Sequence, residues 1–494
     1  MTPQRLVESL EQARLQFGAG QEELLRWLLA DLAGARLEKA GLLARLHEAL
    51  LFVRAYPASA EILERAEEAL AGFAARVRLV DATELEEPEI SGIAGTGLTA
   101  VFTYGVARHL AERHAPHAWI EWDACDEDTP WFTLLPHLIP ALEEDAAVEA
   151  NVPYREWVAA AAQGEPELVW LMRALEKRFR NGRERGDRYD GLNLPVRWEL
   201  GESAASRTLM RLPARSPFLH AEPLIRRAQV SFAEIERLAP FPERKLSREE
   251  GEAMLVLALD TSAARYRQLL GFTYGDPQSV VEVDAGRGVV FYFSRVLAER
   301  KLPLRDYLAA TIWKNGVPIG YFEGLVTADR LEAGFNIYYS FRDGETAWLY
   351  RQMLAACYQR TGARYCVLDP YQIGHGNAEA IASGAFWFYR KLGFRSMDEA
   401  ARQLTAREER RIAAQPGYRS PARVLRRLVQ HPMVFEMPGA TPGFWDGFSV
   451  RNLGLHIARG KPGGLARAQQ QLRRGRRDGR VPRVFRNAGL PGGN

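Results

Sequence analysis

The first 80 residues show a helical pattern of apolar positions. Apolar side chains recur at three- and four-residue spacings in EELLRWLLADLAGA, KAGLLARLHEALLFV and AEILERAEEALAGFAARV. Pro57 breaks the chain before the third segment, and Ser59 is placed to cap it. The pattern predicts a helical bundle or cap over residues 1–82, with a role in packing or partner contact.

Residues 83–245 have a different texture. Short β-like runs at 118–122 and 196–200 alternate with a helical run at 167–179. The charged, Gly-rich stretch RFRNGRERGDRYDG at 178–191 is typical of a solvated loop or linker. The pattern predicts a second, mixed α/β region to which the sequence assigns no role.

Residues 246–440 give the clearest order of elements. A helical segment precedes the strand-like runs VVEVD and VVFYFSRV, and two further apolar runs flank Asn315-Gly316, a strong hairpin signal. The strand candidate EAGFNIYYSF then leads into a long helix, a short buried strand at YCVLDP and a helix ending near Gly393. This order predicts an α/β sheet with a strand-loop-helix unit in its middle.

Charge divides the chain unevenly. The 494 residues contain 65 Lys+Arg and 62 Asp+Glu, for a net charge of +3. Ten of the basic residues and a single acid lie between Arg459 and Arg486, so the remainder carries 55 basic against 61 acidic residues, a net −6. We expect residues 441–494 to form a basic Gly/Arg-rich tail that is disordered in isolation. It would contact nucleic acid weakly, or dock onto the acidic body.

The remaining composition excludes several classes of protein. Cys125, Cys357 and Cys366 are widely spaced and odd in number, which is typical of reduced thiols in a cytoplasmic protein. The first 17 residues include acids and no apolar core, so we expect no signal peptide. No window approaches the ~18 apolar residues of a membrane span, and we expect no membrane contact.

Two segments of the 246–440 region carry a resemblance to a known family. The heptapeptide FYRKLGF at 388–394 and the strand-loop-helix unit at 332–362 resemble the GNAT-type N-acyltransferases. The resemblance implies a GNAT-like mixed sheet with flanking helices, and acetyl-CoA or another acyl-CoA as co-substrate. It also implies that backbone amides of the loop before the long helix bind the cofactor's pyrophosphate. The loop residues at the matching positions are Arg342, Asp343, Gly344, Glu345, Thr346 and Ala347.

The same resemblance suggests two catalytic residues. Tyr389 matches the tyrosine that protonates the leaving thiolate in many members, although its ring could equally pack beside Phe388 in the helix. Glu332 on the strand candidate resembles the glutamate that deprotonates the amine. Its rivals for that role are Glu323, Asp369 and His375.

Two other patterns are weaker. Gly92, Gly95 and Gly97 precede a segment that could be a helix, which would suit a nucleotide, or a strand, which would leave only a Gly-rich turn. His109 and its neighbours His114 and His117 have spacings that do not share one helical face, so we predict exposed histidines and no metal site.

The sequence therefore predicts a coenzyme A-dependent N-acyltransferase acting on a small-molecule or peptide amine. The loop departs from the family pattern, since Phe341 stands where Gln or Arg is usual and Thr346 where Gly or Ala is usual. That departure motivates an alternative: an inactive GNAT-like binding module.

Overall fold

The computed structural model of the chain describes residues 1–18, 20–139, 151–213, 216–459 and 463–486. Among these residues no helix has both the length and the apolar character needed to cross a membrane. The architecture is mixed α/β, with helices packed around a large mixed sheet.

Helices make up the N-terminal region, as the apolar pattern predicts. Ser59 caps the fourth helix by accepting a hydrogen bond from the Ile62 N–H at 3.4 Å. Its helices are α1 (Pro3–Ala13), α2 (Gln21–Gly34), α3 (Ala40–Ala55), α4 (Ala60–Ala71) and α5 (Phe73–Val77). Most of α3 is buried, which places it at the centre of the bundle.

The second region is mixed α/β, also as predicted. Its strands β1 (Gly97–Val101), β2 (Ala118–Ile120) and β3 (Pro195–Glu199) form, within the described residues, a three-stranded antiparallel sheet in the order β1-β3-β2. Its helices are α6 (Tyr104–His114), α7 (Leu135–Leu138), α8 (Tyr154–Ala162), α9 (Glu167–Arg178) and α10 (Gly182–Asp190).

Helix α10 corrects the loop predicted at 178–191. Asn181 caps it by accepting hydrogen bonds from the N–H groups of Arg183 at 2.9 Å and Glu184 at 3.3 Å. Tyr189 is completely buried and anchors the helix in the core of this region. One buried aromatic side chain therefore outweighs the charged, Gly-rich composition that suggested a loop.

The large sheet occupies residues 243–436. Within the described residues it has nine strands in the order β11-β12-β10-β9-β8-β7-β6-β5-β4. They are β4 (Glu243–Lys245), β5 (Val281–Gly286), β6 (Val289–Arg295), β7 (Asp306–Lys314), β8 (Val317–Thr327), β9 (Arg330–Ile337), β10 (Tyr365–Leu368), β11 (Arg395–Ser396) and β12 (Met433–Glu436).

Helices flank this sheet and connect its strands. They are α11 (Arg248–Ala263), α12 (Leu270–Thr273), α13 (Thr346–Thr361), α14 (Pro370–Ile373), α15 (Ala378–Ser383), α16 (Ala385–Lys391), α17 (Glu399–Ala414) and α18 (Ala422–Leu428). Strands β4 to β9 pair antiparallel, whereas β9 and β10 pair parallel across α13. The predicted strand-loop-helix unit therefore lies in the middle of the sheet.

The tail docks onto the body, which is one of the two outcomes expected for it. Its described parts form helices α19 (Val450–Arg459) and α20 (Gly464–Arg477). Phe485 is fully buried in a small core that includes Trp445, and Arg476 pairs with Asp329 of the body at 3.0 Å. Residues 460–462 and 487–494 lie outside the described part. Buried apolar residues that are far apart in sequence, Leu453, Ala468 and Phe485, pack the tail against Tyr365 and Val434 of the sheet.

The N-terminal bundle shares its core with the large sheet. One continuous cluster of buried apolar residues includes Phe52 of α3, Phe291 of β6 and Phe341 before α13. The predicted boundary at residue 82 is thus not a boundary of the hydrophobic core, and the bundle buttresses the sheet.

The predicted hairpin at Asn315-Gly316 is confirmed. Lys314 pairs with Val317, and both turn residues have positive φ, 50° for Asn315 and 77° for Gly316. A Cβ at Gly316 would lie 2.0 Å from the carbonyl oxygen of Leu212. The turn therefore needs glycine both for its backbone and for the close approach of the chain at Leu212.

We expect Gly316→Ala to destabilise the protein by more than Gly286→Ala. Gly286 also has positive φ, +82°, but nothing lies within 4 Å of its Cβ position. The matched control therefore isolates the backbone cost of about 1–2 kcal/mol, and the clash at Leu212 adds to it in Gly316→Ala. Denaturant unfolding of both variants measures the difference, and equal losses would contradict a steric role for Leu212.

Candidate functional site

A cleft opens where β9 and β10 part. The two strands pair only from Arg330 to Glu332, and β9 continues to Ile337 beyond the end of β10. The cleft has a volume of about 450 Å³, and residues 334–337 of β9 form one of its walls. On this side β9 has backbone N–H and C=O groups that no neighbouring strand of the described sheet pairs.

Two of the six predicted cofactor-binding residues line this cleft, Arg342 and Thr346. Thr346 begins α13, so the N–H groups of the first turn have no partner inside the helix. Arg342 is positioned by a hydrogen bond from its Nε to the Ile337 carbonyl at 3.1 Å and by a 2.7 Å ion pair with Glu379. A cation and the positive end of a 16-residue helix thus meet at one side of the cleft.

The other four predicted residues do not line the cleft. A Cβ at Gly344 would lie 2.6 Å from the Tyr56 hydroxyl, and Asp343 pairs with Arg14 at 2.9 Å. Glu345 is 1% exposed and pairs with Arg287, with Lys314 at 4.0 Å. Ala347 is buried as well. These residues hold the turn against the bundle and the sheet.

Tyr389 lies on α16 with its side chain lining the cleft. Its ring contacts those of Tyr350 and Phe394 at centroid distances of 5.6 Å, so the packing expected for this tyrosine is also present. Burial raises the pKa of Tyr389 above its ordinary value. The phenol is therefore protonated at neutral pH and can act as a proton donor.

The two glutamates considered as base lie on the same face of the sheet but in different surroundings. Glu332 of β9 is opposite Val367, where β10 still pairs, and its carboxylate is held by Arg305 and Arg330. It is not among the residues that line the cleft. Its predicted role remains a prediction, and its position is that of an ion-paired side chain.

Glu323 of β8 lines the cleft. It is directly opposite Gly334, which has no side chain to cover it. The Tyr307 hydroxyl donates a hydrogen bond to its carboxylate. Burial raises the pKa of Glu323 to about 7, which is the range a general base needs at neutral pH.

The other two rivals have different surroundings. Asp369 caps α14 by accepting a hydrogen bond from the Tyr371 N–H at 2.9 Å. His375 lines a separate, larger cavity on the far side of α15 and α16. Sequence reasoning missed Asn336 and Tyr321, which share the cleft face of the sheet and are joined by a 3.1 Å hydrogen bond. The alternation of side chains along β8 and β9 could have identified both.

A buried network supports the turn that leads into α13. Arg207 pairs with Glu48 of α3 at 2.5 Å and donates hydrogen bonds to the Ser91 carbonyl and the Ser340 hydroxyl. Although burial opposes its charge, Arg207 lowers the pKa of Glu48 to about 2. The Arg207 guanidinium thus links Glu48 of the bundle and Ser91 of the second region to Ser340, which lies just before the turn into α13.

The glycines of the second region form turns and do not precede a helix. Gly97 begins strand β1, and the Gly95 N–H donates to the Gly201 carbonyl at 2.6 Å. Gly92 has positive φ and packs against Arg207. The strand removes the helix terminus that a nucleotide site would need, so the Gly-rich turn is the correct interpretation.

The histidines of α6 correct the prediction of exposed side chains. The Nε2 atoms of His109 and His114 each lie 2.7 Å from Oδ1 of Asp260 on α11, and His109 and Asp260 are buried. These three groups could in principle hold a metal ion. Both 2.7 Å separations are hydrogen-bond distances. The cluster is therefore a carboxylate shared by two imidazoles that ties α6 to α11.

Comparisons with known proteins give no further assignment. No family model, no curated protein and no solved structure matches this chain.

We expect Asp260→Ala to lower the free energy of unfolding by about 2–4 kcal/mol, because the imidazole N–H groups of buried His109 and half-buried His114 lose their acceptor. Glu252→Ala on the same helix removes only the exposed pair with Arg248 and should cost at most about 1 kcal/mol. Denaturant unfolding at neutral pH measures both.

The difference in unfolding free energy between wild type and Asp260→Ala should depend on pH. Burial opposes the charge of Asp260, but hydrogen bonds from both histidines lower its pKa below the ordinary value. A depressed carboxyl pKa stabilises the fold above the unfolded-state value near 3.9 and loses that stabilisation as pH falls further. The gap between wild type and Asp260→Ala should therefore narrow below about pH 4; a gap that widens there would contradict the shared-carboxylate cluster.

Proposed function

We propose that the chain is a coenzyme A-dependent N-acyltransferase whose GNAT-like domain spans residues 246–440. The observation that carries the proposal is the cleft between the parted strands, which places Glu323, Tyr389 and Arg342 around one space. A raised-pKa carboxylate and a protonated phenol at the same cleft form a base and acid pair. The acceptor is a small-molecule or peptide amine, and the free cysteines favour a cytoplasmic protein.

The cleft fits the chemistry of an acyl-CoA. The unpaired edge of β9 suits an extended chain with amide groups, such as the pantetheine arm. Arg342 and the free N–H groups at the start of α13 suit the pyrophosphate. The acidic residues of the turn do not oppose an anion, because Asp343 is paired with Arg14 and Glu345 with Arg287.

The chain's own groups supply the proton transfers. A bound acyl-CoA would supply a thioester whose C–S bond breaks as the C–N bond to the amine forms. Glu323 accepts the proton that the amine loses, and the Tyr389 hydroxyl donates a proton to the departing sulfur. Amides along the open edge of β9 donate hydrogen bonds to the carbonyl oxygen as it gains charge.

The alternative is a GNAT-like module without catalysis. In such a module the space beside residues 342–347 could be filled by side chains. An enzyme needs this space to be open next to Tyr389, so that substrate can enter. The 450 Å³ cleft at Tyr389 and Arg342 supports the enzyme. Of the two residues that depart from the family pattern, Phe341 is fully buried in the core shared by the bundle and the sheet, and Thr346 lines the cleft.

We expect acetyl transfer to a panel of amines to increase with pH through about 7, because the Glu323 carboxylate must be deprotonated to accept a proton. Glu323→Gln should remove this rise and lower kcat by about 10²–10⁴-fold. Tyr389→Phe should lower kcat while leaving acetyl-CoA affinity, measured by calorimetry, near that of wild type.

Glu332→Gln is the matched control. It changes a glutamate on the same face of the sheet that does not line the cleft, so the rise through pH 7 should persist. If Glu332→Gln removes the rise and Glu323→Gln keeps it, Glu332 is the base. If no acyl-CoA gives heat with wild-type protein, the cofactor assignment is wrong.

A second candidate function concerns the tail. Between residues 473 and 483, five arginines are exposed and make no ion pair within the described residues, in contrast to Arg476, which pairs with Asp329. These five are Arg473, Arg474, Arg477, Arg480 and Arg483. Fixed on a folded support, they form a cationic surface that we propose contacts the phosphates of nucleic acid.

We expect retention of a single-stranded RNA to weaken with salt, since arginine–phosphate contacts release counterions. The triple variant Arg473→Gln, Arg477→Gln, Arg480→Gln should reduce the slope of log K against log salt by about 2. Exposed arginines of α17 and α18 provide the control, Arg407→Gln, Arg410→Gln, Arg423→Gln. Equal slopes for wild type and both variants would exclude tail-mediated binding.

A further inference from the structure

A second cavity, larger than the cleft, lies beside it. It has a volume of about 1190 Å³ and lies between α15 and α16 on one side and α17 and α18 on the other. Asn377, Ser383 and Phe388 line both spaces, so the cavity and the cleft adjoin. Drug-sized ligands occupy pockets of about 300–1,000 Å³, and this cavity is therefore large enough for a bulkier molecule.

Apolar side chains form the floor of the cavity. Leu425 and Val429 of the α18 segment face Ile381, Trp387 and Phe388 across it. The ring N–H of Trp387 is buried and has no hydrogen-bond partner in the structure. A ligand in the cavity would thus need an apolar body, and an acceptor atom on it would satisfy the Trp387 donor.

Cations form the rim. Arg227, Lys391, Arg419 and Arg426 line the cavity, all four are exposed, and none makes an ion pair within the described residues. By contrast, Arg390, next in sequence to Lys391, pairs with Glu409 at 2.8 Å. No Asp or Glu is among the described residues that line the cavity. Four uncompensated positive charges around an apolar floor favour an anion with an apolar body.

We propose that this cavity binds an amphipathic carboxylate, with its apolar body on the floor and its carboxylate at the arginines of the rim. Arginine binds carboxylates in a bidentate manner, and Arg419 and Arg426 both lie on the α18 side of the cavity. Resting on the proposed function, we place the carboxylate of the acyl acceptor in this cavity and its amine in the adjoining cleft, which Glu323 lines.

Calorimetry with decanoate below its micelle concentration tests the site without any acyl-CoA. Decanoate should bind in a saturable manner, whereas butyrate, which lacks the apolar body, and decyltrimethylammonium, which has the opposite charge, should not. Arg419→Glu with Arg426→Glu should weaken decanoate binding at least tenfold. Arg423→Glu with Arg427→Glu changes two exposed arginines of the same helix that do not line the cavity, and should leave binding unchanged.

Ala382→Trp gives an independent test, since Ala382 is exposed and lines the cavity. The indole should fill the space and remove decanoate binding. Equal binding of decanoate and decyltrimethylammonium, equal losses in the two arginine pairs, or no binding at all would each overturn the site.

The link to catalysis is measured separately. Acetyl transfer to 10-aminodecanoate should exceed transfer to decylamine at least tenfold in kcat/KM, and Arg419→Glu with Arg426→Glu should abolish that preference. Decanoate binding without any acetyl-CoA binding would overturn the proposed function while the site stands. Acetyl transfer that shows no preference for the carboxylate would overturn the acceptor anchor.

Discussion

The candidate site depends on one constraint, the short parallel pairing of β9 and β10. Three residues of β9 pair with β10, and β9 then continues to Ile337 paired with β8 on one side only. Backbone groups left without a strand partner must be satisfied by another group or by solvent. The parting therefore creates both the space and the donors of the cleft. It also separates the two glutamates: Glu332 remains in the paired part, and Glu323 faces the open part across from Gly334.

The N-terminal bundle fixes the other side of this site. Arg14 holds Asp343 and the Ser340 carbonyl, Tyr56 packs on Gly344, and Glu48 shares Arg207 with Ser340. These contacts hold the turn before α13 on the side that faces the bundle. Arg342 and Thr346, on the other side of the turn, line the cleft. A buried ion pair contributes little net stability compared with apolar packing, but it specifies a geometry. We interpret the bundle as a support that positions the turn.

Local patterns in the sequence predicted much of the fold. The hairpin at Asn315-Gly316 and the strand-helix-strand order around α13 depend on neighbouring residues, and both are present. The sequence did not predict contacts between distant segments. Asp260 meets its histidines about 150 positions away in sequence, and Phe485 finds its core only in the folded chain. For the same reason Glu323 and Glu332 were equivalent in sequence, since the ion pairs of Glu332 and the open surroundings of Glu323 come from the register of β8, β9 and β10.

The distribution of unpaired charge argues for two separate anionic ligands. Many arginines of the described chain pair with nearby carboxylates, as Arg395 does with Glu436 and Asp446. Arg473, Arg474 and Arg477 of α20 and the arginines that line the cavity beside α18 make no ion pair within the described residues. The cavity has an apolar floor and the surface of α20 does not, so we expect the two cationic surfaces to prefer different anions: the proposed amphipathic molecule at the first and the proposed chain of phosphates at the second. A net charge of only +3 conceals both surfaces, because what attracts an anion is the local arrangement of charge rather than its sum.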